Sequence, residues 1–268
     1  MPAEQYMPDS GYGSFETWGE LCGIRESDQL LGDAIYIARR SAGANRANLQ
    51  QAAKEAPGRL ELAASIRSQE EIDLKDFALK EGILQSPDQF ESSWITQGRF
   101  AGGEHMIIYS TDLPRIAIKR SNIPYHDTWA DYFERVAIHK YIFPVTALSL
   151  VGFQEVTSRL RDDENHEWKT GLYAVIQQPF IQAERGATLD EISVVMRQQG
   201  FINVRPLDWY HPIHGIHAND LHCDNAVMTR NEKGDLDCVI LDPLLHFTRA
   251  SMVDDRIKAF SKKASVVP

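Results

Sequence analysis

The chain has 268 residues, 43% of them hydrophobic, which is enough to bury a substantial core in one bilobal domain or two small ones. Its formal net charge of −10 argues against a general binder of nucleic acids or anionic membranes. No apolar run approaches the roughly 18 residues of a membrane-spanning helix, and the first residues lack the features of a signal peptide. We therefore expect a cytoplasmic protein that binds neither membrane nor nucleic acid. Because there are only three cysteines, we expect reduced thiols and not a disulfide framework.

The first 90 residues have the apolar spacing of helices and carry no combination of residue types that indicates catalysis. After a leader of about 14 residues, helical spacing is predicted over 15–41, and two or three helices follow over 45–56, 60–68 and 69–81. Pro57-Gly58 and Gly82 are the clearest breaks. We predict an N-terminal helical extension over 1–90, which is either a helical appendage or a segment with a regulatory or substrate-docking role.

A strand, a glycine-rich turn and a second strand are predicted over 94–109. Gly98, Gly102 and Gly103 would let the backbone approach phosphates closely and present N–H groups to them. The next apolar strand ends in Lys119, whose ammonium group would reach the same phosphates. Taken alone, such features are more often an ordinary hairpin turn or a solvated lysine. Their succession along the chain favours a phosphate-binding role.

A helix is predicted from Thr128 to Phe143, with apolar residues along one face. Glu134 lies in this helix where it could turn inward and pair with Lys119. Two alternatives remain open from the residues alone: Glu134 is a surface residue, or Glu155 on the following strand is the partner of Lys119.

Two antiparallel strands are predicted over 147–160 and 172–181, joined by a charged hairpin. Gln178 lies near the end of the second strand, where a nucleotide-binding hinge would offer backbone groups to an adenine edge. Thr188 is expected to cap the helix that follows. A tight hairpin around His211-Pro212 then leads the chain into the next motif.

The motif with the clearest chemical content consists of Asp220, Asn225 five residues later, and Asp242 at the end of a short apolar strand. Between Asn225 and Asp242 we predict two short strands joined by a polar turn over 231–235. Such a hairpin would bring Asn225 and Asp242 to the same end, within reach of one ion. Carboxylate and amide oxygens suit Mg²⁺, and a further carboxylate can orient an acceptor hydroxyl. The spacing therefore favours a site that holds magnesium against a triphosphate.

From about Gly98 to Asp242 the chain resembles the protein-kinase-like fold. The Asp220-Leu221-His222 and Asp242-Pro243 signatures are similar to those of the branch that contains aminoglycoside and choline phosphotransferases. They are also similar to those of the small kinase domains in polyvalent proteins of phages and mobile elements. The Gly102-Gly103-Glu104-His105 turn and the short second lobe resemble the polyvalent-protein type in particular.

This resemblance implies an α+β, bilobal fold. An antiparallel β-sheet N-lobe would occupy 91–182, and a reduced, mainly helical C-lobe would occupy 183–268. The resemblance also implies a transferase that uses ATP and Mg²⁺ to phosphorylate a hydroxyl acceptor, either a protein or a small molecule.

In the resembling family, the residues that match these positions have defined roles. Lys119 would bind the phosphates, and Glu134 is one candidate for the carboxylate that pairs with it. Asp220 would orient the acceptor hydroxyl, and Asn225 and Asp242 would ligate the metal.

The chain departs from most protein kinases at two places around these residues. Ala218-Asn219 replaces the His-Arg pair that precedes the catalytic Asp, and Pro243-Leu244 replaces Phe-Gly, with no Ala-Pro-Glu segment after it. Regulation by a phosphorylated activation loop is therefore not expected, and the substrate is left undefined. One alternative is a pseudokinase, or a docking module that holds nucleotide without turnover.

A second alternative is a zinc hydrolase, because a dense set of possible ligands lies within thirteen residues. These are His211, His214, His217, His222 and Cys223. Their spacing matches no known structural or catalytic zinc pattern, so packing roles are favoured for most of the histidines.

Overall fold

A computed structural model of the protein describes residues 29–51, 58–85, 96–102, 105–110, 116–123, 126–159, 168–248 and 255–264. Its helices are α1 (Gln29–Gln51), α2 (Arg59–Lys80), α3 (Trp129–Ile142), α4 (Leu189–Gln198) and α5 (Asp255–Ala264). The strands of the first half are β1 (Leu84–Gln85), β2 (Thr96–Gly102), β3 (His105–Ser110), β4 (Ile116–Ser121), β5 (Ser149–Arg159) and β6 (Trp168–Pro179). Those of the second half are β7 (Arg185–Gly186), β8 (Ile202–Arg205), β9 (Asp208–His211), β10 (Ile216–Asn219), β11 (Ala226–Arg230), β12 (Leu236–Ile240) and β13 (Leu244–Phe247). The fold is therefore α+β.

The first half of the described chain is built on a six-stranded sheet in the order β1-β5-β6-β4-β3-β2. Its neighbouring strands are antiparallel, except that the short β1 runs parallel to β5. The strands predicted over 94–109, 147–160 and 172–181 are confirmed. Lys119 lies in β4 opposite Ile107 of β3 and Ile176 of β6, inside the sheet and not at its edge.

Helices α1, α2 and α3 pack against this sheet and share one apolar core with it. Residues of α1 and α2 lie in the same buried cluster as the aromatic residues Trp129, Phe133 and Phe153 of α3 and β5. Trp129 stacks on Phe133, with ring centroids 5.7 Å apart. The helical region at the start of the chain is thus part of this core.

The predicted helix breaks are confirmed where glycine supplies them. Gly58 precedes α2 with a φ of 74°, and Gly82 follows it with a φ of 68°. Gly43, with a φ of 50°, kinks α1 between the two helices predicted there. Between 68 and 69, where the prediction leaves open one helix or two, α2 continues without a break, since no glycine or proline interrupts it.

The second half of the described chain contains a four-stranded sheet, β13-β10-β9-β8, and a three-stranded sheet, β12-β11-β7. The prediction of a mainly helical region over 183–268 is wrong, because in its described part more residues lie in strands than in helices. After Gly200 the apolar runs are at most four residues long and are separated by polar and turn residues. Such runs are too short for stable helices but long enough for hairpins.

A second buried cluster connects these two sheets with α4 and with the end of α3. Helix α3 therefore contributes to both clusters, Trp129 to Val136 to the first and Ile138 with Ile142 to the second. No helix of the described residues is long and apolar enough to cross a membrane.

Candidate functional site

Two short segments cross side by side between the four-stranded and the three-stranded sheet. Residues 220–225 connect β10 to β11, and residues 241–243 connect β12 to β13. Because β10 pairs with β13 and β11 pairs with β12, both antiparallel, the two crossings lie at the same strand ends. The backbone N–H of Leu241 donates to the carbonyl oxygen of Asn225 at 2.8 Å. The backbone therefore brings the polar residues of both segments together.

The hairpin predicted between Asn225 and Asp242 is confirmed. Strands β11 and β12 pair in register along their whole length. The side-chain oxygen of Asn231 accepts hydrogen bonds from the N–H groups of Lys233 and Asp235, both at 3.0 Å, and so closes the polar turn. The tight hairpin around His211-Pro212 is also confirmed, as β9 paired with β10.

The loop 220–225 is held by the side chain of Asn225. Its Nδ2 donates to the backbone oxygen of Asp220 at 2.8 Å and to Asp220 Oδ2 at 3.2 Å, and lies 3.2 Å from His222 Nε2. Asp220 has a φ of 61°, a left-handed conformation that non-glycine residues rarely adopt, and its side chain is 62% exposed. The loop thus presents a carboxylate to solvent in a fixed orientation.

Asp242 is bound by two buried cations, one on each carboxylate oxygen. Lys119 Nζ lies 3.0 Å from Oδ2, and Arg135 Nη2 donates to Oδ1 at 2.5 Å. Arg135 Nε also donates to the carbonyl oxygen of Pro243 at 3.2 Å. Asp242 itself is 20% exposed, so the carboxylate is reachable from solvent although its partners are buried.

The predicted pair between Lys119 and Glu134 is wrong in this structure. Glu134 accepts a hydrogen bond from Arg39 of α1 at 2.9 Å. The alternative partner, Glu155, pairs with Lys75 of α2 at 2.7 Å. Successive helix residues point about 100° apart, so a helix that presents Arg135 to Asp242 turns Glu134 toward α1.

Arg135 is the site residue that the sequence-based prediction missed. A signal for it existed, because Arg135 and His139 are four residues apart on an otherwise apolar stripe of α3 that includes Ile138 and Ile142. All of these side chains are buried. Two polar residues on such a stripe indicate a buried polar contact.

The backbone just before Asp242 is fixed by two further side chains. The carbonyl oxygen of Leu241 accepts from Gln178 Nε2 at 2.8 Å and lies 3.1 Å from His139 Nε2. Burial lowers the pKa of His139 to about 3, although the nearby Asp242 acts to raise it. The imidazole is therefore neutral and donates from Nε2 to Leu241.

Gln178 thus reaches the Asp242 segment through its buried side chain, which also donates to Thr146 O at 2.9 Å. Its backbone lies in the β6 ladder opposite Ala117. A contact between that backbone and an adenine edge stays a prediction. Gly98 and Gly102 lie in β2, two strands from Lys119, while Gly103 lies outside the described residues. Their contact with phosphates also stays a prediction.

The donor atoms of the two crossings suit a hard divalent cation. They are the carboxylates of Asp220 and Asp242 and the side-chain oxygen of Asn225, whose amide nitrogen is already committed to Asp220. No hydrogen bond joins that oxygen to the described part of the chain. Oxygen ligands of this kind are those that Mg²⁺ prefers.

The histidine and cysteine residues of the zinc alternative are not brought together in this way. The ring of His211 packs on that of His214, with centroids 4.4 Å apart, and burial lowers the pKa of His211 to about 4. His217 packs edge-on against His246 instead. Within the ranges that the structure describes, no group of three or more histidine, cysteine, aspartate or glutamate side chains is arranged to hold a metal ion.

A family model described as Serine/Threonine/Tyrosine Kinase found in polyvalent proteins matches residues 67–242, well over half of the chain. The match begins inside α2 and ends at Asp242, so it spans Lys119, Arg135 and the loop 220–225. Neither the curated proteins nor the solved structures contain a match to the chain.

Proposed function

Because the chain belongs to the family of serine/threonine/tyrosine kinases found in polyvalent proteins, we propose that it transfers the γ-phosphate of ATP to a hydroxyl acceptor in a Mg²⁺-dependent reaction. Membership of the family makes it a kinase-type phosphotransferase; the nucleotide, the metal and the hydroxyl acceptor are the proposal. One observation carries it: the two crossings bring Asp220, Asn225 and Asp242 to the same strand ends. The acceptor is a protein or a small molecule.

Asp220 is the residue we assign to the acceptor. Its carboxylate is mostly exposed, and the amide of Asn225 and the imidazole of His222 lie beside it. A carboxylate so held can accept a hydrogen bond from a hydroxyl and take its proton as the oxygen attacks the phosphorus atom.

Asn225 and Asp242 are the residues we assign to the metal, through Oδ1 of the amide and one carboxylate oxygen. Bound Mg²⁺ would neutralise the charge of the β- and γ-phosphates. The backbone hydrogen bond between Leu241 and Asn225 keeps the two ligands at a fixed separation. The protein therefore contributes a preorganised pair of ligands, which costs little rearrangement on binding.

Lys119 is the residue we assign to the phosphates. It lies in the middle of the six-stranded sheet, two strands from Gly98 and Gly102, and its ammonium group is 3.0 Å from Asp242. A triphosphate bound beside Asp242 would be within reach of that ammonium group. We further propose that the two buried clusters are the cores of two lobes, divided near residue 182, with α3 contributing to both.

The test is a thermal-shift titration with ATP and Mg²⁺ on the wild type, Asp242→Ala and Asp220→Asn. We expect a magnesium-dependent stabilisation of the wild type, about 2.7 kcal/mol at a hundredfold excess over the Kd, that Asp242→Ala loses. Asp220→Asn should keep this stabilisation. Its rate of ADP formation from ATP should fall at least a hundredfold. An absent shift in the wild type would refute the proposal. A wild type that binds nucleotide but forms no ADP from ATP would favour the pseudokinase alternative instead.

A further inference from the structure

Arg135 binds Asp242 and the residue after it with one guanidinium group. Nη2 donates to Asp242 Oδ1 at 2.5 Å, and Nε donates to the carbonyl oxygen of Pro243 at 3.2 Å. A planar guanidinium that binds two acceptors at once fixes the direction of both. The carboxylate of Asp242 therefore has a defined orientation relative to its own backbone.

The two oxygens of Asp242 are bound by cations of different character. Oδ1 is bound by Arg135, whose side chain is buried in α3 and engaged twice. Oδ2 is bound by Lys119, through a single ammonium group on a flexible stem. Oδ2 can therefore exchange its partner at a lower cost in free energy than Oδ1 can.

We propose that Arg135 is a positioning residue for the metal, which holds Oδ1 of Asp242 out of coordination and leaves Oδ2 as the metal-binding oxygen. This inference rests on the proposed function. In the structure the ammonium group of Lys119 binds Oδ2. When a metal ion binds this oxygen, the ammonium group would move to the phosphates. The neighbouring Glu134 binds Arg39 of α1.

Hydrogen bonds from other elements support the same arrangement. The carbonyl oxygen of Leu241 is bound by Gln178 of β6 and His139 of α3, and the N–H of Leu241 is bound by Asn225. The backbone at Leu241 is therefore fixed without Arg135. Arg135 in addition fixes the orientation of the Asp242 carboxylate, and the affinity of a carboxylate for a metal ion depends on that orientation.

The test measures apparent Mg²⁺ affinity, by titrating the metal into protein that holds a fluorescent, non-hydrolysable ATP analogue. We expect Arg135→Met to weaken the apparent Mg²⁺ affinity at least tenfold, the lower end of the effect of losing a residue that orients a metal ligand. Binding of the analogue without metal should stay within twofold of the wild type. Arg135→Lys keeps the charge but cannot bind both acceptors, and should weaken the Mg²⁺ affinity at least threefold.

Arg59→Met is the matched control. Arg59 is also a buried arginine that binds one carboxylate, Asp127, and one backbone carbonyl, Leu49, but it lies at the start of α2. This variant should lose stability and keep the wild-type Mg²⁺ affinity.

The outcomes separate the inference from the proposed function. A wild type that binds no nucleotide with magnesium refutes the proposed function and the inference together. A wild type that does bind, with binding lost in Asp242→Ala but an unchanged Mg²⁺ affinity in Arg135→Met, refutes the inference alone. If Arg135→Met does not fold, an unchanged affinity in Arg135→Lys has the same meaning. A loss of Mg²⁺ affinity in Arg59→Met equal to that in Arg135→Met would also refute the inference.

Discussion

His139 is expected to make the stability of the protein depend on pH. Burial lowers its pKa in the folded state to about 3, against 6.5 in the unfolded chain. The unfolded state therefore binds more protons below pH 6.5, so the stability is fully present above that pH and is lost as the pH falls toward 3. One pH unit in this window corresponds to about 1.4 kcal/mol, so His139 alone should lower the free energy of unfolding by about 2 kcal/mol at pH 5.

The measurement is urea unfolding of the wild type and His139→Gln at pH 7 and pH 5. Glutamine can still donate a hydrogen bond to Leu241, but it does not titrate. Between the two pH values the wild type should lose about 2 kcal/mol more than the variant. Burial also lowers the pKa of His211 and His214, and their contribution cancels because both proteins contain them. Equal losses in the two proteins would show that His139 is not the buried neutral group described above.

Two further substitutions test the packing of the first helices and strands. Glu70 is fully buried and accepts the first two backbone N–H groups of α3, at 2.7 and 3.2 Å. Glu70→Gln should lower the free energy of unfolding by about 2 kcal/mol in urea. Glu71→Gln is the control. If its free energy of unfolding fell by more than half of the loss in Glu70→Gln, this reasoning would be contradicted. A Cβ atom on Gly152 would lie 2.6 Å from the backbone oxygen of Ile83, so Gly152→Ala should cost about 1–3 kcal/mol. Gly171→Ala, whose Cβ would meet its nearest neighbour at 4.0 Å, should cost less than 1 kcal/mol, and similar losses at both glycines would rule out this contact as the cause.

The features that the sequence predicts well are those with local signals. Thr188 caps α4 as expected, and it does so in a reciprocal arrangement with Glu191 three residues later. The hairpin of β11 and β12 is defined by apolar runs and by a turn that Asn231 closes with its own side chain. In both cases the residues that decide the structure lie within about fifteen positions of each other.

The partner of Lys119 could not be predicted in the same way. Whether α3 presents Glu134 or Arg135 to Asp242 depends on the rotation of the helix, which is set by distant residues. Arg39 binds Glu134 across 95 positions of the sequence, and Glu70 binds the start of α3 across about 60. The spacing of Arg135 and His139 within α3 indicates that Arg135 is turned inward, but it does not indicate which residue Arg135 binds.

The error about the region 183–268 has a different origin. The mainly helical C-lobe was an implication of the family resemblance, whereas the local pattern after Gly200 consists of short apolar runs and turns. The same local pattern correctly predicted the hairpins around His211-Pro212 and over 231–235. Here the residues were the better guide to secondary structure.

The side-by-side crossings also determine which residues control the spacing of the site. Ala218 and Ala226 flank the first crossing, are fully buried, and pack in one cluster with Ile240 and Leu245, which flank the second. The packing of these four side chains therefore helps to hold the two crossings beside each other. A displacement of about 1 Å can reduce catalysis a hundredfold. A larger side chain at either buried alanine should therefore shift Asp220 relative to Asp242 while every polar group of the candidate site stays the same.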